Sequence, residues 1–122
     1  MNTNLAGKVI LITGASGGIG SAIARKFAEE GAKLLLHCHR NRDGARDLQR
    51  ELAAVESIVV AADLTKEAQV KKLFARAMNQ FGRVDTLVAN AGSWETRDVA
   101  LRQMPLKQWR TTLDGVLTST FL

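Results

Sequence analysis

The stretch Val9-Ile10-Leu11-Ile12-Thr13-Gly14-Ala15-Ser16-Gly17-Gly18-Ile19-Gly20 decides how the rest of the chain is read. An unbroken apolar run is what a strand covered on both faces requires, so Lys8–Thr13 is expected as a strand. From Gly18 the period changes: Ile19, Ile23 and Phe27 recur every four residues beside Ala22, Ala24 and Ala28, the stripe of a helix laid on a sheet. At the junction, glycine lets backbone come close to a ligand, and a helix N-terminus offers N–H donors with a favourable dipole. Gly14, Gly18 and Gly20, with Ser16, are therefore expected to hold the diphosphate of a dinucleotide. The spacing is G-x-x-x-G-x-G, not the common G-x-G-x-x-G. A tight turn with no ligand is the plain alternative, and the strand-loop-helix context favours the phosphate site.

Working outward, strands and helices alternate. Gly31 stops the first helix, and Lys33–His37 supplies a second strand through Leu34-Leu35-Leu36. Arg42–Ala54 reads as a charged helix with Asp43–Arg46 and Asp47–Arg50 spaced i,i+3, and Ser57–Ala61 as a third strand. Lys66–Phe81 is the clearest helix, with Val70, Leu73, Phe74, Ala77 and Phe81 on one stripe and Gly82 to end it. Val84–Ala89 is a fourth strand, and Asn90-Ala91-Gly92 a turn. Pro105 suits the first turn of a last helix running through Trp109, Leu113, Val116 and Leu117, with Trp94 and Trp109 expected to pack. This alternation implies an α/β fold, a Rossmann-type doubly wound parallel sheet limited to four strands and their helices.

A length of 122 residues allows one domain, and 46% hydrophobic residues suffice for a core. The single Cys38 rules out an internal disulfide and fits a reducing compartment. No secretory leader or long apolar segment is evident, so a cytoplasmic chain with no membrane partner is expected. The net charge of +5 tolerates anionic ligands, but its basic residues are interleaved with acids, and no nucleic-acid motif is present.

The end of the second strand bears on the choice of cofactor. An acid about 20 residues past the loop would accept from a ribose 2′-hydroxyl and favour NAD. Here the sequence is His37-Cys38-His39-Arg40-Asn41-Arg42, with no acid before Asp43. A guanidinium can pair with a 2′-phosphate, so NADP is expected, with Arg40 as the contact and NAD as the alternative. Zinc is not expected at His37, Cys38 and His39, because no other histidine or cysteine exists to complete a tetrahedral set. No serine sits in a G-x-S-x-G elbow, and Ser93 reads as a loop residue.

Thr13–Gly20 and Asn90-Ala91-Gly92 together resemble the classical short-chain dehydrogenase/reductases. Asp63-Leu64 matches that family's acidic-hydrophobic pair, and Met104, Trp109 and Leu113 resemble the start of its fourth helix. The likeness spans the whole chain and is nearest to 3-oxoacyl-acyl-carrier-protein reductase-like and glucose-dehydrogenase-like members. It implies binding of NADP(H) or NAD(H) through Gly14, Ser16, Gly17, Gly18, Ile19, Gly20, His39, Arg40, Asp63, Leu64, Asn90, Ala91 and Gly92. Asp63 would meet the adenine amino group, and Asn90-Ala91-Gly92 would pass near a ribose. For Asp63 alone, a helix cap before Thr65-Lys66 is an equal reading.

The implied reaction is hydride transfer between nicotinamide and a carbonyl or secondary alcohol. Three departures accompany it. Gly17 stands where NADP-preferring members often carry a basic residue, and Gly115 and Val116 stand where the family's asparagine falls. The family's serine and Tyr-x-x-x-Lys pair lie farther along than these residues run, and the sequence holds no tyrosine, so no catalytic residue is assigned. The expectation is a cofactor-binding half of an oxidoreductase, inactive alone, acting on a small-molecule carbonyl or alcohol only in a longer form. A non-catalytic nucleotide-binding or interaction module is the alternative. An open fourth strand and an apolar last helix further imply a homo-oligomer.

Overall fold

The apolar run becomes the strand β1 (Val9–Ile12), buried along its whole length. With β2 (Lys33–Cys38), β3 (Ser57–Ala61) and β4 (Thr86–Val88) it forms a parallel sheet in the order β3-β2-β1-β4. A computed structural model provides the coordinates and describes residues 3–92 and 99–122. Ser93 and Trp94, singled out above, lie outside the described residues.

Side-chain alternation divides the core into two layers. Ile10, Ile12, Leu34 and Leu36 pack under α1 (Gly18–Glu29) and α2 (Arg42–Glu51), joined by Ala24 and Leu48. Leu11, Leu35 and Val60 face the other way, against Leu73 and Ala77 of α3 (Glu67–Phe81). α3 ends at Gly82, whose φ of +77° suits glycine, with its N–H donating to the Met78 carbonyl at 2.8 Å.

Connectivity sets the site. From β1 the chain steps through β2 to β3 on one side, then returns to place β4 on the opposite side of β1. The strand order thus reverses beside β1, and the crevice beyond its carboxyl end is where an open α/β sheet binds ligands.

Several expected boundaries shift. α2 stops at Glu51 instead of Ala54, because Leu52–Val55 tightens into a turn that brings Leu52 and Val55 back onto the core. β4 is confined to Thr86–Val88. Ahead of it the Asp85 carboxylate accepts from the Val9 N–H at 2.8 Å, occupying a donor that a longer main-chain ladder would use. Of the two i,i+3 pairs, Asp47–Arg50 forms at 2.9 Å, and no ion pair joins Asp43 and Arg46 among the described residues.

Ile19 does not join the sheet-facing stripe and is 72% exposed. One turn back from buried Ala24 lies Gly20, which is buried, so the adjacent Ile19 is rotated outward. After a short 3₁₀ turn (Leu101–Gln103), Pro105 caps α4 (Leu106–Leu113). The helix continues through a π-helical turn (Asp114–Thr118) into Ser119–Phe121. Trp109 was expected to pack but is 49% exposed, and Leu113, Val116 and Leu117 are also exposed. Among the described residues no helix is long and apolar enough to cross a membrane.

Candidate functional site

The loop Thr13–Gly17 leaves β1 at the reversal point and enters α1. Gly14 has φ +65°, and a Cβ there would stand 3.0 Å from Ala91 Cα and 3.2 Å from Asn90 Nδ2. A Cβ on Gly20 would collide with the Gly14 carbonyl oxygen and come within 2.9 Å of Ala15 Cα. Packing therefore demands both of these glycines. Gly18 is different: a Cβ there meets nothing within 4 Å, and its φ is ordinary.

The amides that open α1 have no acceptor among the described residues. Gly17 caps α1 in extended conformation with no side-chain cap, and no acid lies in the first turn. Among the described residues the N–H groups of Gly18, Ile19 and Gly20 meet no protein acceptor, and Gly17 through Ile19 are exposed. Orphan donors and the positive end of the helix dipole thus converge beside Gly17 and Gly18, which packing does not demand: a Cβ on Gly17 would make only ordinary contact at 3.4 Å with the Gly14 carbonyl oxygen. Ser16 flanks them in a polar cleft between α1 and α2 that also includes Ser21 and Asp47.

Three side chains hold the loop from behind. Thr13 Oγ1 accepts from the Asn90 and Ala91 N–H groups, both at 2.9 Å, and donates to the Val88 carbonyl at 3.3 Å. Asn90 Nδ2 donates to the Thr13 carbonyl at 3.1 Å and the Gly14 carbonyl at 3.3 Å. His37 Nδ1 accepts from the Gly14 N–H at 3.0 Å, while its Nε2 stands 2.8 Å from the Ala62 carbonyl. Burial pushes the imidazole pKa down, outweighing the Ala62 hydrogen bond that raises it, and His39 lowers it further. Thr13 and His37 were not among the expected site residues. The signal for each was a polar side chain at the end of an otherwise apolar strand.

Beyond β2 and β3 lie the remaining candidates. His39 and Arg40 are exposed, and Arg40 has no ion pair among the described residues. Asn41 accepts the Gly44 N–H at 3.0 Å and so starts α2, leaving no acid at the end of β2. Asp63 Oδ1 accepts from Thr65 Oγ1 at 2.6 Å and Thr65 N at 2.9 Å, an Asx turn that precedes α3 and is not its cap. Those bonds, with smaller contributions from His39 and Lys66, hold the carboxyl below the usual range. Asp63 Oδ2 is left facing His39 at 4.0 Å.

Gly14, Ser16–Gly20 and Asn90–Gly92 thus gather at the ends of β1 and β4, with His39, Arg40 and Asp63 beyond β2 and β3. Leu64, partly buried against the Leu11, Leu35 and Val60 cluster, also lines a cavity shared with Thr13 and Ala91. Gly115 and Val116 lie in the π-helical turn, where Val116 Cγ2 is 3.9 Å from a Cβ built on Gly92. His37 and His39 do not share a ligand set: one is buried and bonded at both nitrogens, the other exposed. Among the described residues no three His, Cys, Asp or Glu side chains converge as a metal site.

Comparison with known proteins bears on this geometry. Residues 8–122 match the family model for short chain dehydrogenases. The chain is 43% identical over 91 residues to 11-beta-hydroxysteroid dehydrogenase A of Sesamum indicum, covering 73% of this chain and 26% of that protein. It is 41% identical over 88 residues to L-fucose dehydrogenase of Oryctolagus cuniculus, covering 72% and 30%. A blue fluorescent protein from a metagenomic library, solved in complex with NADPH, superposes with a TM-score of 0.88 at 33% identity, over 98% of this chain and 49% of that one. A short-chain type dehydrogenase/reductase from Mycobacterium marinum gives 0.89 at 32%, over 96% and 47%. The chain spans less than a third of the two curated relatives and about half of the two solved chains. A loop of this shape at the reversal of a parallel sheet, matched from residue 8 onward, means that the chain belongs to the short-chain dehydrogenase family.

Proposed function

We propose that residues 1–122 form the dinucleotide-binding domain of an NADP(H)-dependent oxidoreductase. One observation carries this reading: three unpartnered N–H groups open α1 beside Gly18, whose missing Cβ leaves open space. Packing gives no reason for that arrangement, whereas a diphosphate fits it in charge and in hydrogen bonding. The NADPH complex of the metagenomic relative supports the choice of cofactor.

On this reading Gly17 through Gly20 bind the diphosphate through backbone, with Ser16 at its edge. Arg40, helped by His39, pairs with the 2′-phosphate, since no acid guards the end of β2. Asp63 is ionised at neutral pH and presents Oδ2 to the adenine amino group. Asn90 holds Thr13 and Gly14 in place while Ala91 and Gly92 let a ribose pass close. Bound NADP(H) supplies hydride exchange at the nicotinamide with a carbonyl or secondary alcohol. The finer likeness to 3-oxoacyl-acyl-carrier-protein reductase-like or glucose-dehydrogenase-like members belongs to the same proposal.

With no tyrosine in the chain, no group here is assigned to move the hydroxyl proton. We therefore expect cofactor binding without turnover from these residues alone, which is also what a non-catalytic nucleotide-binding module would do. The open side of β4, with Leu87 49% exposed, is expected to drive self-association, and a clean monomer by light scattering at high concentration contradicts that. The central test is titration of the chain with NADPH and NADH by calorimetry. Saturable binding with NADPH tighter supports the proposal; absence of binding by either rejects it.

A further inference from the structure

We propose that His37 is a positioning residue whose neutral imidazole locks the glycine loop to the exit of β3, setting the diphosphate and adenine ends of the site as one unit. This rests on the dinucleotide reading above. The geometry is specific: Nδ1 receives the Gly14 N–H at 3.0 Å, so the ring proton must sit on Nε2, which donates to the Ala62 carbonyl at 2.8 Å. The His37 main-chain carbonyl also accepts from Ala15 N–H at 2.8 Å, so one residue holds two consecutive loop amides. Ala62 directly precedes Asp63, and the side chain of His37 is only 1% exposed. No other histidine tautomer satisfies both bonds. A second proton on Nδ1 would turn the acceptor into a donor aimed at the Gly14 N–H and push that amide away.

The surroundings keep the ring neutral. Among the described residues the charge that acts on it is that of His39, just beyond its own strand and itself facing Asp63, while the adjacent Cys38 alternates to the opposite face of the sheet and burial pushes its thiol pKa up, toward the neutral form. The glycine loop carries no ionisable side chain, and α3 turns Leu73 and Ala77 to this face of the sheet. The Asp63 carboxylate is engaged by Thr65 and His39.

Protonation of His37 and cofactor binding should then oppose each other, and reciprocally so. The experiment is NADPH titration of the chain from about pH 8 to about pH 5, with His37 followed by nitrogen-15 NMR of the imidazole, in parallel with His37→Leu and His37→Gln. The expected result is an Nε2–H tautomer, a His37 midpoint that NADPH moves further down, and NADPH affinity that falls on acidification. His37→Leu should bind about tenfold more weakly at pH 8, as for loss of a hydrogen bond ordering the loop, and should lose the His37 component of the pH profile. His37→Gln, which can both accept and donate, should recover part of the affinity but stay insensitive to pH in that range. Titration of the cofactor's own 2′-phosphate is common to all three and cancels. An unmoved His37 midpoint on NADPH binding, or the same pH profile in His37→Leu, overturns the proposal. If His37→Leu fails to fold, the midpoint shift in the unaltered chain decides alone. If NADPH binds nowhere in the range, the dinucleotide reading fails. The loop lock is then judged by the protection of the Gly14 and Ala15 amides relative to their intrinsic exchange rate at each pH, which must fall as His37 protonates; unchanged protection overturns it.

Discussion

Replacing Gly18 and Gly20 separately by alanine tests the proposed division of the glycine loop into a part that serves the ligand and a part that serves the protein. At Gly20 the added methyl meets the Gly14 carbonyl oxygen, Ala15 Cα and Asn90 Nδ2, two of them backbone atoms that cannot swing aside. Overpacking of that kind costs about 1–3 kcal/mol, and backbone neighbours put Gly20→Ala toward the upper end. An unfolding entropy of about 2.1 cal/mol/K per residue makes each kcal/mol worth about 4 °C in Tm for 122 residues, so a fall of roughly 8–12 °C is expected. At Gly18 the methyl meets nothing within 4 Å, and alanine is the better helix former by up to about 1 kcal/mol, so Tm should hold or rise slightly. Calorimetric titration with NADPH should nonetheless show Gly18→Ala binding at least about tenfold more weakly, since the methyl would stand where the diphosphate approaches, a loss of about 1.4 kcal/mol. Differential scanning fluorimetry and titration on the same samples give both quantities. Unchanged NADPH affinity in a well-folded Gly18→Ala protein would refute the assignment of that open space to the cofactor.

Arg40→Glu should weaken NADPH by at least about tenfold, the worth of a charge-assisted hydrogen bond, while leaving NADH nearly unchanged; equal loss for both coenzymes would remove Arg40 from the 2′-phosphate contact. Thr13→Val leaves the Ala91 N–H without its acceptor and the Asn90 N–H with the Val88 carbonyl alone, and should cost about 1–3 kcal/mol, seen as a lowered denaturant midpoint, whereas Thr13→Ser should be close to neutral. Stability should also depend on pH. His37 has a folded pKa below its ordinary 6.5, so its contribution is complete above that value and is lost as pH falls toward the folded pKa. Asp63 and Asp85, held below 3.8 chiefly by bonds from Thr65 and from the Val9 N–H, add a second loss at lower pH. Thermal melts between about pH 8 and pH 5 should therefore slope downward on acidification in the unaltered chain and less so in His37→Gln; parallel slopes would contradict the role given to the imidazole.

Much of this architecture was legible in the order of residues. The runs Val9–Ile12 and Leu34–Leu36 announce buried parallel strands because a sheet covered on both faces leaves no polar side to alternate with. The stripe Val70, Leu73, Ala77 announces α3, and Gly82 its end, because only particular spacings bury one side of a helix. Errors arose where a local pattern met a geometric constraint. Ile19 fits a four-residue repeat, yet the helix must pack through Gly20, since any larger side chain there would strike the Gly14 carbonyl. Val84–Asp85 has strand character, but the Asp85 carboxylate takes the Val9 N–H and shortens the ladder.

The glycine loop, its place between strand and helix, and the acid-free end of β2 are properties of adjacent residues, and adjacency was enough to read them. What joins Gly14 to His37, Thr13 to Asn90, and Asp63 to His39 is contact between residues 23 or more positions apart, in three cases across neighbouring strands. Such contacts exist only once strand order and register bring the ends of β1, β2, β3 and β4 to one side of the sheet. His37, whose neighbours in sequence gave no hint of a partner, is therefore tied to a backbone loop, because folding sets the Gly14 N–H at one ring nitrogen and the Ala62 carbonyl at the other.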